Sequence, residues 1–110
     1  MTLEKNEKYT VIKPELNTDF QSFYKLFTEK RTSFKNDHLI LDLSKIEVNL
    51  EELIKFKEIS EEKIESGTSF VVINTTVNLD EIPDEIIVVP TFQEAIDMIE
   101  MDEMTRSLDF

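Results

Sequence analysis

Three short runs of almost continuous apolar residues constrain the fold of this chain more than any other feature. They are HLILDLS from His38 to Ser44, SFVVINT from Ser69 to Thr75, and IIVV from Ile86 to Val89. Strands that are buried on both faces have this pattern, because neither side of the strand meets water. We therefore expect three buried strands in a sheet that helices cover.

Helical segments separate these runs. The aromatic residues between Phe20 and Phe34 recur at i, i+3, i+4, i+7 and i+14, which predicts a first helix that ends near Phe34. Thr18 or Asp19 is the expected N-cap of this helix. The spacing of the aromatic residues is typical of core packing rather than of a cofactor site.

Two further helices begin at capping sequences. Asn49 and Glu52 form a capping-box-like pair, and the second helix should run to about Ser66. Gly67 is the only glycine of the chain and is the expected residue after the C-cap of that helix. A T-x-x-E box after Pro90 begins the last helix. Four apolar residues form the expected core face of the last helix: Phe92, Ala95, Ile96 and Ile99.

The amino terminus is expected to form a hairpin. Residues 9–12 (YTVI) read as a short strand, and residues 2–6 (TLEKN) pair with it through a tight turn near Asn6 and Glu7. Buried strands that alternate with amphipathic helices are typical of the α/β class. We therefore expect a single domain over residues 1–110, with a mixed, mostly parallel sheet of four to five strands and three helices.

Charge is distributed unevenly along the chain. The net charge is -12, and residues 41–110 hold five Lys or Arg against eighteen Asp or Glu. No basic residue occurs between Lys63 and Arg106. Nucleic acid and anionic membrane are therefore not expected partners, because binding to phosphate depends on basic side chains. An acidic solvated surface explains this charge, and a basic protein partner is the alternative reading.

Composition excludes several kinds of active site. The chain has no Cys, which rules out disulfides, thiol catalysis and cysteine-ligated metals. One glycine is too few for a phosphate-binding loop or a nucleophile elbow. His38 is the only histidine, and a strand-end role is favoured over that of a catalytic base. We expect no catalytic residues, no metal and no cofactor.

The sequence also lacks two membrane signals. No apolar run approaches the ~18 residues that a membrane-spanning helix needs, and MTLEKNEKYT has no apolar core of the kind found in signal peptides. A cytoplasmic protein is therefore the expectation.

Two polar segments are expected at one edge of the sheet. Ligands bind beyond the carboxyl ends of the strands in open parallel sheets. Here that edge would consist of SKIEVN, from Ser44 to Asn49, and NTTVN, from Asn74 to Asn78. Neither segment contains Gly, His or Cys, so this edge suits protein contact better than catalysis. Asp42 should end its strand and bind nearby loop amides.

The pattern resembles the STAS domain, which is the fold of bacterial anti-anti-sigma factors. The resemblance includes a strand that ends in LDLS, a loop with apolar Ile46 and Val48, a helix that opens at Asn49, the strand SFVVINT, and IIVVPTFQEAIDMI as the last strand and helix. It covers most of the chain. It implies a regulatory domain that binds a protein partner.

Switch proteins of this family carry a phosphoacceptor Ser at the start of the second main helix, and this chain departs from that pattern. By position, Asn49 replaces the family's Asp, and Leu50 or Glu51 replaces the Ser. No Ser or Thr occurs between Lys45 and Ile59. Glu51 would mimic the charge of phosphoserine, or it is an ordinary acidic residue of a first helical turn.

The chain also resembles short STAS-like proteins that sometimes carry the label ribonuclease Z. That enzyme has a metallo-β-lactamase fold and holds two zinc ions with several His and Asp residues in an H-x-H-x-D-H pattern. A single histidine does not supply those ligands. We expect that such a label is inherited from a neighbouring gene or a partner.

These observations lead to three functional hypotheses. The first is a non-catalytic, STAS-like regulatory module that binds a protein through Ser44, Lys45, Glu47, Val48, Asn49 and Glu51. The second is an accessory subunit that self-associates or docks through Met98, Met101 and Leu108, and it leaves a monomer or a homodimer open. The third, a ribonuclease Z-type hydrolase, is disfavoured.

Overall fold

The computed structural model describes residues 1–108, with the side chain of Leu108 outside the description. Its five-stranded sheet has the order β1-β2-β3-β4-β5, in which β1 and β2 are antiparallel and all other neighbours are parallel. The expected α/β class, with a mixed and mostly parallel sheet, is confirmed. The strands are β1 (Thr2–Lys5), β2 (Thr10–Lys13), β3 (Leu39–Asp42), β4 (Phe70–Ile73) and β5 (Ile87–Val89). The helices are α1 (Phe20–Lys30), α2 (Leu50–Ile54), α3 (Lys57–Glu65) and α4 (Phe92–Leu108).

The predicted amino-terminal hairpin is confirmed. Strands β1 and β2 pair from Thr2 opposite Lys13 to Lys5 opposite Thr10. Asn6 closes the turn, because its Oδ1 accepts hydrogen bonds from the backbone N–H of Lys8 and of Tyr9, both at 2.8 Å.

The sheet is covered on both faces. One face packs against α1, α2 and α3 through buried residues such as Ile12, Leu41 and Val72. The other face packs against α4, and Ile40 and Val71 are among its buried residues. Successive strand residues point to opposite faces. The nearly continuous apolar runs are therefore explained by two cores, one on each side of the sheet.

Aromatic residues form the larger core. Phe27 is fully buried, and its ring centroid lies 6.1 Å from that of Phe34, 5.8 Å from that of Phe56 and 6.3 Å from that of Phe70. Phe20 and Phe23 are buried as well. The interpretation of the aromatic stripe of α1 as core packing is confirmed.

Helix boundaries differ from the predictions at two places. The first helix ends at Lys30, and a 3-10 helix, Arg31–Phe34, follows it. The second predicted helix is divided into α2 and α3, because Phe56 N–H bonds to the carbonyl of Leu53 at 3.0 Å and tightens the backbone there. The tight turn leaves Leu53 and Phe56 both fully buried.

The single glycine ends α3 as predicted. Gly67 has a φ of 81°, which favours a residue without a Cβ. Its N–H bonds to the carbonyl of Ile64 at 3.1 Å, and the N–H of Thr68 bonds to that of Lys63 at 2.9 Å. These two bonds define a Schellman motif.

Helix α4 begins at the predicted T-x-x-E box. Thr91 Oγ1 accepts a hydrogen bond from the backbone N–H of Glu94 at 3.2 Å. Within residues 1–108 no helix has the length and apolar character needed to cross a membrane.

Candidate functional site

The Asp42 carboxylate fixes the start of the loop between β3 and α2, residues 44–49. Asp42 is the last residue of β3, and its Oδ1 accepts hydrogen bonds from Ser44 N–H at 3.0 Å and Ser44 Oγ at 2.6 Å. The predicted role of Asp42, a strand end that binds a loop amide, is confirmed. The contact also holds the Ser44 hydroxyl as a donor to a carboxylate.

The same loop ends in a complete capping box. Asn49 Oδ1 accepts from the backbone N–H of Glu52 at 2.8 Å, and Glu52 Oε1 accepts from the backbone N–H of Asn49 at 3.0 Å. This confirms the prediction for both residues. Two backbone donors at the start of α2 are satisfied in this way, so the position of the first turn is set by the sequence itself.

A third brace comes from the end of β4. Asn74 is 1% exposed, and its Nδ2 donates to the carbonyl of Leu43 at 3.3 Å. Its Oδ1 accepts from the N–H of Thr76 at 2.9 Å and of Val77 at 3.1 Å. Thr76 Oγ1 in turn donates to the carbonyl of Val48 at 3.0 Å. These contacts tie the loop to the edges of both β3 and β4.

The predicted contact residues do not all face solvent. Ser44, Lys45, Glu47, Asn49 and Glu51 are exposed. Val48 is 4% exposed and belongs to the aromatic core. The side chain of Val48 therefore anchors the loop, while the exposed residues are available to a partner.

The exposed part of the loop is acidic and forms a shallow depression. A cleft of about 340 Å³ lies between the loop and Thr76, with Glu47, Asn49 and Glu52 on its walls. Acidic residues in the first turn of α2, Glu51 and Glu52, are favoured there by the helix dipole. The available chemistry is hydrogen bonding and charge contact.

His38 lies at the opposite end of the sheet, just before β3. Its Nδ1 accepts a hydrogen bond from the backbone N–H of Ser69 at 3.0 Å, and its Nε2 lies 3.1 Å from Glu103 Oε1. The Ser69 hydroxyl points elsewhere and donates to Asp102 Oδ2 at 2.9 Å. This arrangement confirms the strand-end role and does not place a hydroxyl on the imidazole as a triad requires.

Sequence reasoning did not identify a buried lysine at that same end. Lys63 is 5% exposed, and its ammonium group donates to the carbonyl of Phe34 at 2.7 Å and to that of Asp37. Burial lowers the pKa of Lys63 to about 8, against the opposing effect of the Asp37 carboxylate. The available signal was its spacing from Phe56 and Ile59, which places it on the buried side of α3.

The residues of the second predicted surface, which lie on α4, differ in their exposure to solvent. Met98 is half-buried and packs against the core beneath α4. Met101 is 60% exposed, and so is Met104, at 64%, which the prediction did not include. The side chain of Leu108 lies outside the described part of the chain. Of the three predicted docking residues, Met101 alone has a described and exposed side chain.

Comparisons with known proteins give no assignment. No protein-family model matches this chain, and no curated protein matches it either. Among the described residues, no group of three or more His, Asp or Glu side chains is placed to hold a metal ion.

Proposed function

We propose that this chain is a non-enzymatic, STAS-like regulatory module of the cytoplasm. It binds a protein partner through the exposed residues of the Ser44–Glu51 loop and the first turn of α2. One observation supports this most: the loop carries exposed polar side chains on a backbone that Asp42, Asn49 and Asn74 hold in place. A surface that is ordered before binding loses little conformational entropy when a partner docks.

The mechanism is partner exchange without phosphorylation of the loop. The position that the family resemblance gives to a phosphoacceptor is occupied by Leu50 or Glu51, neither of which carries a hydroxyl. Glu47 and Glu51 are exposed and charged. The partner therefore presents basic groups, and its association rate falls as salt rises because screening weakens the attraction.

The experiment begins with capture of the partner from native cells and its purification. Binding is then measured for the native chain, for the double variant Glu47→Lys and Glu51→Lys, and for a double control, Glu58→Lys and Glu61→Lys. The control changes the same net charge at two exposed positions on α3. We expect the loop variant to bind at least tenfold more weakly and the control to bind within about twofold of the native chain. Equal weakening in both variants, or none in the loop variant, contradicts the proposal.

A second candidate function uses the outer surface of α4. Met101 and Met104 are more exposed than the other methionines described. A contiguous exposed apolar patch is typical of an interaction surface, and Met101 and Met104, three residues apart, lie on the same side of α4. The function would then be that of an accessory subunit that self-associates or docks through α4.

Light scattering distinguishes the self-associating form of this candidate. Self-association predicts a mass that rises toward a dimer with concentration and returns to that of a monomer in the variant Met101→Ser and Met104→Ser. Asp97 and Glu100 flank these methionines on α4 and are exposed. High salt should therefore favour the dimer, because it screens repulsion between like charges. A constant monomer mass at high concentration excludes this form.

We do not propose a nuclease. The resemblance to proteins labelled ribonuclease Z brings no zinc ligands with it, because the chain has one histidine and no H-x-H-x-D-H pattern. Metal analysis of the purified protein and an assay on precursor RNA test this directly. Cleavage that persists through purification and stops on chelation would overturn our view.

A further inference from the structure

A second cleft lies away from the Ser44–Glu51 loop. It has a volume of about 500 Å³ and opens between α3 and the 3-10 helix that follows α1. Leu39, the first residue of β3, is in its wall, so the cleft stands at the amino end of the parallel strands. Volumes of about 300–1,000 Å³ are usual for small-molecule sites.

The floor of this cleft is apolar and ordered. It is formed by Phe27, Leu39 and Ile59, which are 0%, 2% and 4% exposed. Phe27 stacks within the aromatic core and is fully buried, so a ligand reaches the edges of Leu39 and Ile59 rather than the ring of Phe27.

The rim of the cleft is charged, and its ratio of basic to acidic side chains is higher than that of the whole chain. On the exposed rim Arg31 and Lys35 balance the carboxylates Glu62 and Glu65, and the buried Lys63 adds one positive charge in the wall. The chain as a whole has a net charge of -12. An anionic group is therefore better matched here than over the acidic remainder of the surface.

An ion pair spans the mouth of the cleft. Arg31 Nη1 lies 3.9 Å from Glu62 Oε1, and both side chains are substantially exposed. That distance is too long for the charge-assisted hydrogen bonds that guanidinium groups form with carboxylates at about 2.7–2.9 Å. Arg31 is therefore not held in a close bidentate pair with Glu62, and its exposed guanidinium can accept a ligand carboxylate.

We propose that this cleft binds small amphipathic monocarboxylates, with the apolar body over Leu39 and Ile59 and the carboxylate between Arg31 and Lys35. The ammonium group of Lys63 lies in the same wall and donates to three backbone carbonyls, those of Phe34, Lys35 and Asp37. Because its N–H groups are directed at these carbonyls, Lys63 contributes positive charge to the wall rather than a hydrogen bond to the ligand. The site is at the other end of the sheet from the proposed partner surface and is independent of it.

Three probes of equal chain length test the chemistry of the ligand. Octanoate, octylammonium and 1-octanol are titrated into the isotopically labelled full chain, and backbone amide shifts are followed by NMR. We expect octanoate to bind most tightly, with a Kd of about 0.1–10 mM, as befits a ligand of this size. The largest shifts should come from residues that line the cleft. Octylammonium or octanol binding as tightly as octanoate would overturn the proposal.

Single substitutions on the rim then test the geometry. Arg31→Gln and Lys35→Gln should each raise the Kd of octanoate about two- to fivefold, which is the effect of an exposed ion pair. Glu62→Gln should lower the Kd, because it removes the competitor for Arg31. Lys25→Gln is the matched control, since Lys25 is exposed on α1 and does not line the cleft. It should leave the Kd within about 1.5-fold if charge acts locally.

Blocking the cleft provides the last test. Thr32 is exposed on the rim, so Thr32→Trp adds a bulky ring without disturbing the core. We expect this variant to keep the native amide spectrum elsewhere and to lose octanoate binding. Unchanged octanoate binding in Thr32→Trp, or a higher Kd in Glu62→Gln, would overturn the assignment.

Discussion

The loops at the two ends of the sheet are fixed by different kinds of contact. At the carboxyl end, the Ser44–Asn49 loop is fixed by short polar side chains. Asp42 and Asn49 bind the backbone two or three residues away, and Asn74 reaches the loop from the end of β4. At the amino end, the turn between Phe34 and His38 is fixed by the ammonium group of Lys63, which comes from a distant helix. The charged side chains of the carboxyl-end loop, such as Glu47, stay on the surface, whereas the amino end of the sheet depends on a buried ammonium group, that of Lys63.

The amino end should respond to pH, and this is the largest effect we expect. The pKa of Lys63 is about 8 in the native chain, against 10.5 for an ordinary lysine. Between these two values the unfolded chain binds more protons than the native one, so the free energy of unfolding rises with pH. The rise should reach about 3 kcal/mol relative to a Lys63→Met variant. Urea unfolding of both proteins at pH 7, 8, 9 and 10 measures it.

The control for that comparison is Lys25→Met, which removes an exposed lysine of α1. Its free energy of unfolding should keep a constant difference from that of the native chain across the same pH range. Parallel pH profiles for the native chain and Lys63→Met would show that the ammonium group is not desolvated.

The carboxyl end depends most on Asn74. Asn74→Ala removes the acceptor for two backbone N–H groups and the donor to the carbonyl of Leu43. We expect the free energy of unfolding to fall by about 2 kcal/mol, since unsatisfied buried groups cost about 1–3 kcal/mol. Thr75→Ala, at the exposed neighbouring position, is the control. Equal urea midpoints for these two variants would mean that water replaces the Asn74 side chain without cost.

The capping box at the start of α2 should contribute less. Asn49→Ala removes the acceptor for Glu52 N–H, and we expect a loss of about 1 kcal/mol. Asn49→Asp keeps an acceptor at the same position and should retain most of the stability. The comparison is made by urea unfolding at pH 7. A loss of similar size in both variants would indicate that the amide makes another contact in the native chain.

The distance along the chain between two contacting residues also decides which contacts the sequence predicts. The apolar runs, the hairpin and the capping box of Asn49 depend on residues close in the chain, and all were predicted. The contacts of Asn74 with Leu43 and of Lys63 with Phe34 and Asp37 join residues 31 and 26 to 29 positions apart, so no local pattern indicates these partners. For α4, burial of Ile99 and exposure of Met101 agree with the prediction, but Phe92, an expected core residue, is 40% exposed. Apolar residues surround that helix, and only packing on the sheet selects one side.

The smallest expected effect on stability belongs to the surface that we propose for partner binding. Glu47→Ala should change the free energy of unfolding by less than about 0.5 kcal/mol, because the side chain is exposed. Val48→Ala, one residue away, should cost about 1.5 kcal/mol through lost burial of two methyl groups. Urea unfolding separates the two. If Glu47→Ala nonetheless weakens partner binding, the exposed residues of the loop bind the partner and the buried Val48 stabilises the fold. If both properties change only in Val48→Ala, the loop is a connection and not a binding surface.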